Sequence, residues 1–360
     1  MSLMTPAHSL TPVFLLTGFL GSGKTTVLNA LLKAPEFANT AVIVNEFGEI
    51  GLDHFLIERS GDNVVLLEAG CLCCTIADSL HETLADLHAR RVRGDIPAFT
   101  RVIIETTGLA DPAPIVNTLL GNRLVTDHYR LEAVIVTVDA QHVLHELAQH
   151  PEVSKQIAVA DRLLLTKVDL APSGTALQAE LRRLNPLAPI IASSSGSAAL
   201  AAFAPLAAHH VPSSATAHDH HHGDHEHHEH HDADIVDVNR HDARIRAHCL
   251  IVDDPASWAG LAAWWRLVTE LLGDRLLRCK GVLRMADTGE VLFVQGVQKV
   301  FHRPERLTGW PDADQRSRLV CITRDVDAAL LRSTLQALQL PAGSDPNTAV
   351  FEFASRRNLS

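Results

Sequence analysis

From Val13 to about Ser193, short apolar runs alternate with longer amphipathic stretches, the pattern of βα units that build a parallel sheet with helices on its faces. Strands are expected at 13–17, 41–45, 64–67, 102–105, 133–138, 163–166 and 190–192, because these Val, Ile and Leu runs lack the clean alternation of a half-exposed strand. Helices are expected at 25–32, 75–90, 115–120 and 176–184. Near Pro205 the periodicity stops, and a stretch rich in Ala, Ser and His runs to about Asn239 with no face to bury. A second block then begins. It opens with an apolar run at 243–252 and an amphipathic helix at about 255–272 carrying Trp258, Trp264 and Trp265. Strands at 276–285, 290–295, 298–301 and 318–323 and a helix at 326–338 follow, with a tight turn expected at Asp287-Thr288-Gly289.

These blocks divide the chain into a first domain over 1–207, a His-rich linker over 208–241, a smaller α+β domain over 242–344 and a tail over 345–360. A length of 360 residues suits two cores better than one. With 46% apolar and 20% charged residues the composition is ordinary for a folded protein. No apolar run is long enough to cross a membrane and the first residues lack a secretory pattern, so a soluble, cytoplasmic protein is expected. A net charge of −11 without a basic stripe argues against nucleic acid as a partner.

The first expected strand runs into Gly18-Phe19-Leu20-Gly21-Ser22-Gly23-Lys24-Thr25, which matches G-x-x-x-x-G-K-[ST], and a helix follows. Glycines let such a loop curl with its N–H groups turned inward on a phosphate, and the helix adds its positive end. Gly18, Gly21, Ser22, Gly23, Lys24, Thr25 and Thr26 are therefore candidate nucleotide contacts. Lys24 supplies a point charge for the β- and γ-phosphates, and the Thr25 hydroxyl is an Mg²⁺ ligand. Thr166-Lys167-Val168-Asp169 follows a late strand, as the base-reading loop of GTPases does. The Asp169 carboxylate would accept from guanine N1–H and the exocyclic amine, so GTP is the preferred nucleotide. Glu105 ends the fourth expected strand and Gly108 follows, a layout that places a carboxylate near Mg²⁺ and a backbone N–H near the γ-phosphate. The loop from Glu46 through Glu49 to Asp53 is positioned as a first switch, with its carboxylates available to Mg²⁺ or to a second metal.

Six cysteines in a cytosolic chain are not a disulfide framework when three of them, Cys71, Cys73 and Cys74, share one tetrapeptide. In an extended segment Cys71 and Cys73 point the same way, so both thiolates can reach one ion at about 2.3 Å. So compact a motif cannot close a tetrahedral site, and its remaining ligands come from water, from Glu49 or from another protein. Soft thiolates favour Zn²⁺, admit Co²⁺ and exclude Mg²⁺. The segment from His218 to Asp232 carries nine of the 22 histidines with five interleaved carboxylates. Metal collection is its expected role, with His220, His222, His225, His227, His228 and His230 as candidate ligands, although a neutral linker has the same composition.

Together GFLGSGKTT at 18–26, NEFGEIGLD at 45–53, GCLCC at 70–74, ETTGLADP at 105–112 and TKVDL at 166–170 resemble the CobW-type metallochaperone GTPases. The resemblance runs over nearly the whole chain, and the CxCC motif inside a GTPase is its most specific part. It implies an α/β phosphate-loop GTPase domain with a mostly parallel sheet, followed by the smaller α+β domain. It further implies that GTP hydrolysis drives delivery of a metal, usually zinc, from Cys71, Cys73 and Cys74 to a client metalloprotein. Gly21 to Thr26 would then hold phosphates, Thr25 and Glu46 Mg²⁺, and Lys167 with Asp169 the base, while Lys24, Thr25, Glu46, Glu105 and Gly108 form the hydrolytic set. Thr166 stands where many GTPases have Asn, which weakens one backbone-bracing contact, so a modest nucleotide affinity with specificity retained is expected. A cobalt chaperone for cobalamin synthesis, a non-enzymatic zinc buffer or sensor, and a small-molecule kinase on the same loop are the alternatives. The oligomeric state is open, a metal-dependent oligomer included.

Overall fold

The structure is a computed structural model and describes residues 10–44, 65–68, 76–170, 174–193, 196–204, 211 and 244–345. The expected switch loop at 45–53, the cysteine motif and the histidine-rich segment lie outside the described residues.

Seven strands form the first sheet: β1 (Thr11–Gly18), β2 (Thr40–Val44), β3 (Val65–Glu68), β4 (Arg101–Glu105), β5 (Tyr129–Asp139), β6 (Arg162–Thr166) and β7 (Ile190–Ala192). Their order is β3-β2-β4-β1-β5-β6-β7, and every pairing is parallel. In β1, Val13 and Leu15 face one core while Phe14 and Leu16 face another, which is why the run has no polar alternation. The second face is covered by Val27, Leu28 and Leu31 of α1 (Lys24–Leu32) and by Ala199 and Ala202 of α8 (Gly196–Ala202). The first is covered by α2 (Ile76–Arg93), α3 (Pro112–Gly121), α5 (Val143–Gln149), α6 (Pro151–Val159) and α7 (Thr175–Leu184), with the single turn α4 (Arg123–Thr126) between α3 and β5.

Neither α5 nor α6 is among the sequence expectations. Each is under three turns, and His150-Pro151 divides them with proline at the first position of α6, so no window was long enough to show a period.

The second sheet is antiparallel, in the order β11-β10-β9-β13-β8: β8 (Ile245–Val252), β9 (Leu276–Arg284), β10 (Val291–Val297), β11 (Val300–Phe301) and β13 (Ser317–Arg324), with β12 (Glu305–Leu307) on β10. Gly289, at a φ of 70°, closes the expected turn between β9 and β10. Helix α9 (Trp258–Leu272) packs Leu261, Trp264 and Val268 on one face of this sheet. The expected closing helix is shorter. It ends as α10 (Ala328–Thr334) and continues as a 3₁₀ turn, because the Thr334 hydroxyl donates to the Leu331 carbonyl at 2.6 Å and accepts from the Trp264 indole at 3.0 Å. Cys279 and Cys321 face each other across β9 and β13 with Sγ atoms 3.6 Å apart, both fully buried. Their mutual hydrogen bond and their burial raise the Cys279 thiol well above its ordinary pKa. None of the described helices is long and apolar enough to cross a membrane.

The other face of the second sheet joins the first domain. Val282, Phe293, Val320 and Ile322 belong to the same core as Val153 and Ile157 of α6 and Leu177 and Leu181 of α7. Buried charges sit in this seam. Asp161, directly after α6, takes Val134 N–H at 2.9 Å, Lys280 Nζ at 2.7 Å and the Arg278 guanidinium. Beside them, the Nε2 of His302 is shut off from water and has no hydrogen-bond partner among the described residues. Burial, reinforced by Arg278 and Lys280 against Asp161 and Glu305, pushes its pKa down to about 3. A folded imidazole that stays neutral costs nothing above the unfolded pKa near 6.5, and stability is lost as pH falls from there towards about 3. Urea midpoints should show this as a loss of roughly 1–2 kcal/mol between pH 6.5 and pH 5 that disappears in His302→Gln. An unchanged slope in the variant contradicts the assignment.

Candidate functional site

The loop after β1 is built by three left-handed glycines: Gly18, Gly21 and Gly23, at φ of 143°, 69° and 92°. At Gly18 a side chain is also excluded by contact, since a Cβ would lie 2.4 Å from the Thr137 carbonyl oxygen. Three hydroxyls brace the loop from below: Ser22 to Thr137 at 2.7 Å, Thr137 to the Thr17 carbonyl at 3.2 Å and Thr166 to the Ser22 carbonyl at 2.8 Å. Thr166 thus spans the loop and β5, where its hydroxyl also meets the Val138 carbonyl at 3.2 Å. The shorter side chain of Thr166 thus reaches the loop backbone.

Lys24 Nζ folds across the loop and donates to the carbonyls of Gly18 at 3.0 Å and Phe19 at 3.1 Å. The Thr25 hydroxyl donates to Glu105 Oε1 at 2.9 Å. Glu105 is only 4% exposed. A carboxylate that dry, beside a hydroxyl at the carboxyl edge of a parallel sheet, is an oxygen donor pair of the kind a hard divalent cation takes. Thr26 lies exposed on the first turn of α1.

Gly108 sits against the loop from the other side. A Cβ there would meet the backbone N of Leu20 at 2.6 Å and its Cα at 2.7 Å. Its backbone is not left-handed, so the requirement for glycine is one of contact alone. Alanine must displace either this segment or the phosphate loop by the better part of an ångström. The sequence assigns Gly108 to a hydrolytic set, and on that expectation GTP turnover by Gly108→Ala should fall about a hundredfold. Near-normal phosphate release would remove Gly108 from the hydrolytic set.

Lys167, at a φ of 55°, and the exposed Asp169 follow β6. Lys167 Nζ lies 2.6 Å from Asp139 Oδ2, which His142 Nδ1 also meets at 2.9 Å. Burial would raise the Asp139 carboxyl, but Lys167, His142 and the Gln141 N–H hold it below its usual range. Sequence reading did not single out Asp139, although an acid at the carboxyl end of a central parallel strand was a usable signal.

The structure therefore gathers Gly18, Ser22, Gly23, Lys24, Thr25, Glu105, Gly108 and Thr166 around one loop, with Lys167 on the adjoining strand end. Glu46, Glu49, Cys71, Cys73, Cys74 and the six linker histidines lie outside the described residues. Among the described residues no three His, Cys, Asp or Glu side chains could hold a metal ion. A phosphate loop between β1 and α1, with an acid-ended strand beside its threonine, defines a nucleotide-binding domain of the phosphate-loop class.

Comparison with known proteins narrows the class. The CobW/HypB/UreG nucleotide-binding domain matches residues 12–192 and the cobalamin synthesis protein CobW C-terminal domain matches residues 245–339, and the chain belongs to this family. It is 33% identical to the zinc chaperone CobW of Pseudomonas aeruginosa over 90% of both chains. It is 41% identical to the zinc chaperone YjiA of Escherichia coli over 49% of this chain, a match that spans just over half (56%) of that relative. The solved zinc-bound YjiA GTPase of E. coli superposes with a TM-score of 0.64 at 25% identity, covering 92% of this chain and 99% of that one.

Proposed function

We propose that this protein is a GTP-hydrolysing metallochaperone that takes Zn²⁺ on Cys71, Cys73 and Cys74 and passes it to a client metalloprotein under control of the nucleotide. One observation carries the reading. Glu105, Val44 and Glu68 stand at one level of three adjacent parallel strands, in register, beside the phosphate loop. Val44 leads directly into the acidic loop, and Cys71 is three residues past Glu68, a reach of at most roughly 11 Å. Membership of a family whose relatives include zinc chaperones supports the choice of cargo.

In this reading Lys24 and the loop N–H groups carry the charge of the β- and γ-phosphates, and Lys167 with Asp169 selects guanine. Thr25 and Glu105, with Glu46 as a candidate from the sequence, would hold Mg²⁺, which would supply positive charge to the triphosphate. Gly108 places its loop against the phosphate loop. Water attacks the γ-phosphorus, the bond to the β–γ bridging oxygen breaks, and GDP and phosphate leave. Site-to-site coupling of about 1–3 kcal/mol cannot expel an ion bound by roughly 10–16 kcal/mol, so the client's own ligands take it by exchange. Linkage makes the effect reciprocal: zinc must shift GTP affinity by the factor by which GTP shifts zinc affinity. Competition titrations should give zinc affinities that differ by about 5- to 100-fold between the GTP- and GDP-loaded protein. Equal affinities would leave a zinc buffer with an idle nucleotide site.

A further inference from the structure

The loop that carries Gly108 is held from a helix that no motif marks. Gln156, in the middle of α6, is 1% exposed. Its Nε2 donates two hydrogen bonds, to the Gly108 carbonyl and to the Ala110 carbonyl, both at 3.1 Å. Both partners are acceptors only, so the amide can make this pair of bonds in one orientation alone. Between them the loop is pinned at two points two residues apart, and a trans peptide points its N–H opposite to its carbonyl. Turning the carbonyls of Gly108 and Ala110 to α6 therefore turns the N–H groups of Leu109 and Asp111 away from it.

The helix is itself fixed at both ends. At its start the His150 ring packs, tilted by 32°, against Phe19 of the phosphate loop with ring centres 4.7 Å apart. At its end Asn185 Nδ2 collects the carbonyls of Ile157 at 2.7 Å and Ala160 at 2.9 Å, and Asp161 is locked to Arg278 and Lys280. Lys155, beside Gln156, adds a half-exposed ion pair with Asp111 at 3.6 Å. Both described hydrogen bonds of this buried amide, on so fixed a helix, go to carbonyls of one loop.

We propose that Gln156 is the positioning residue of the hydrolytic loop: its two hydrogen bonds set where Gly108 stands relative to the phosphate loop. The proposal rests on the GTP-hydrolysis reading above. It predicts an effect on turnover and not on nucleotide capture, because Gln156 touches neither Lys24 nor the base-reading strand end in any hydrogen bond described.

The test uses the full-length protein and two substitutions. Gln156→Met keeps length and apolar packing but has no donor. It should lower kcat for GTP about 10- to 100-fold with KM and GDP affinity within about threefold of wild type and with a cooperative thermal transition retained. Gln156→Glu keeps the shape and, when ionised, faces two carbonyls with a carboxylate. Protonation restores one donor, so its kcat relative to wild type should rise as pH is lowered from about 8 to about 6. A purely structural role moves neither the split between kcat and KM nor this pH ratio. The proposal is overturned by a folded Gln156→Met with kcat within twofold of wild type, by parallel loss of kcat and GDP binding, or by a flat pH ratio for Gln156→Glu. Should Gln156→Met not fold, the pH ratio decides. Failure of the parent reading is separate: it appears in wild type as absent GTP turnover, and this proposal falls with it.

Discussion

Lys24→Ala is expected to abolish GTP turnover, a loss of at least about a thousandfold, while leaving the fold intact. The magnitude follows from the chemistry. One neutral donor to a developing charge in a dry site is worth roughly 10²- to 10³-fold, and an ammonium that meets both the β- and γ-phosphates is worth no less. Retention of the fold follows from the geometry, because Lys24 is only half-buried and its bonds to the carbonyls of Gly18 and Phe19 lie within the phosphate loop itself. The melting temperature should therefore stay within a few degrees of wild type. Phosphate release and melting curves measured on the same preparation check both halves. Undiminished release would eliminate the enzyme reading and leave the non-enzymatic zinc buffer or sensor in its place.

Seven parallel strands were legible in the sequence to within four residues at every end because short runs of Val, Ile and Leu bounded by polar stretches mark them. The phosphate loop was legible for a different reason, since three glycines at fixed spacing leave few other conformations. The two helices between β5 and β6 were not legible, and they carry Gln156. Gly108 was named from its place after an acid-ended strand, but its contact with Leu20 is a property of the folded chain. Thr166 was read as a weak substitute for asparagine, whereas the short distance from β6 to the loop lets a hydroxyl serve. The seam between the domains left no trace in the pattern. Arg278 and Lys280 sit two apart on a strand, which reads as one face turned to solvent, and only the docked first domain makes that face dry.

That seam gives the second large effect. Asp161→Ala should destabilise the protein by about 3–5 kcal/mol, because it strands two buried cations and the Val134 N–H together. With Nε and Nη1 of Arg278 already lacking hydrogen-bond partners among the described residues, the guanidinium would be left with the long contact to Gln295 Oε1 at 3.3 Å. For a chain of 360 residues the melting temperature should drop by roughly 4–7 °C. Burial would raise the Asp161 carboxyl, but Arg278 and Lys280 hold it far below the usual carboxylate range. The sign is fixed by that direction: the contribution is complete above the unfolded pKa near 3.9 and fades as pH falls below it towards the depressed folded value. The difference between wild type and variant should thus be constant from pH 5 to 7 and shrink below about pH 4. A variant that melts with wild type would show that the cations reach water in solution.

The facing pair Cys279 and Cys321 has a practical corollary for anyone counting thiols. Sulfurs with no exposed surface, one of them with its thiolate form strongly disfavoured, react with neither disulfide reagents nor alkylators on the time scale of an ordinary assay. A colorimetric titration of the native chain should therefore fall short of six equivalents by at least two, and the missing two should appear only in denaturant. Stoichiometries of metal-blocked sulfhydryls are best normalised to that native plateau, not to the number of cysteines encoded.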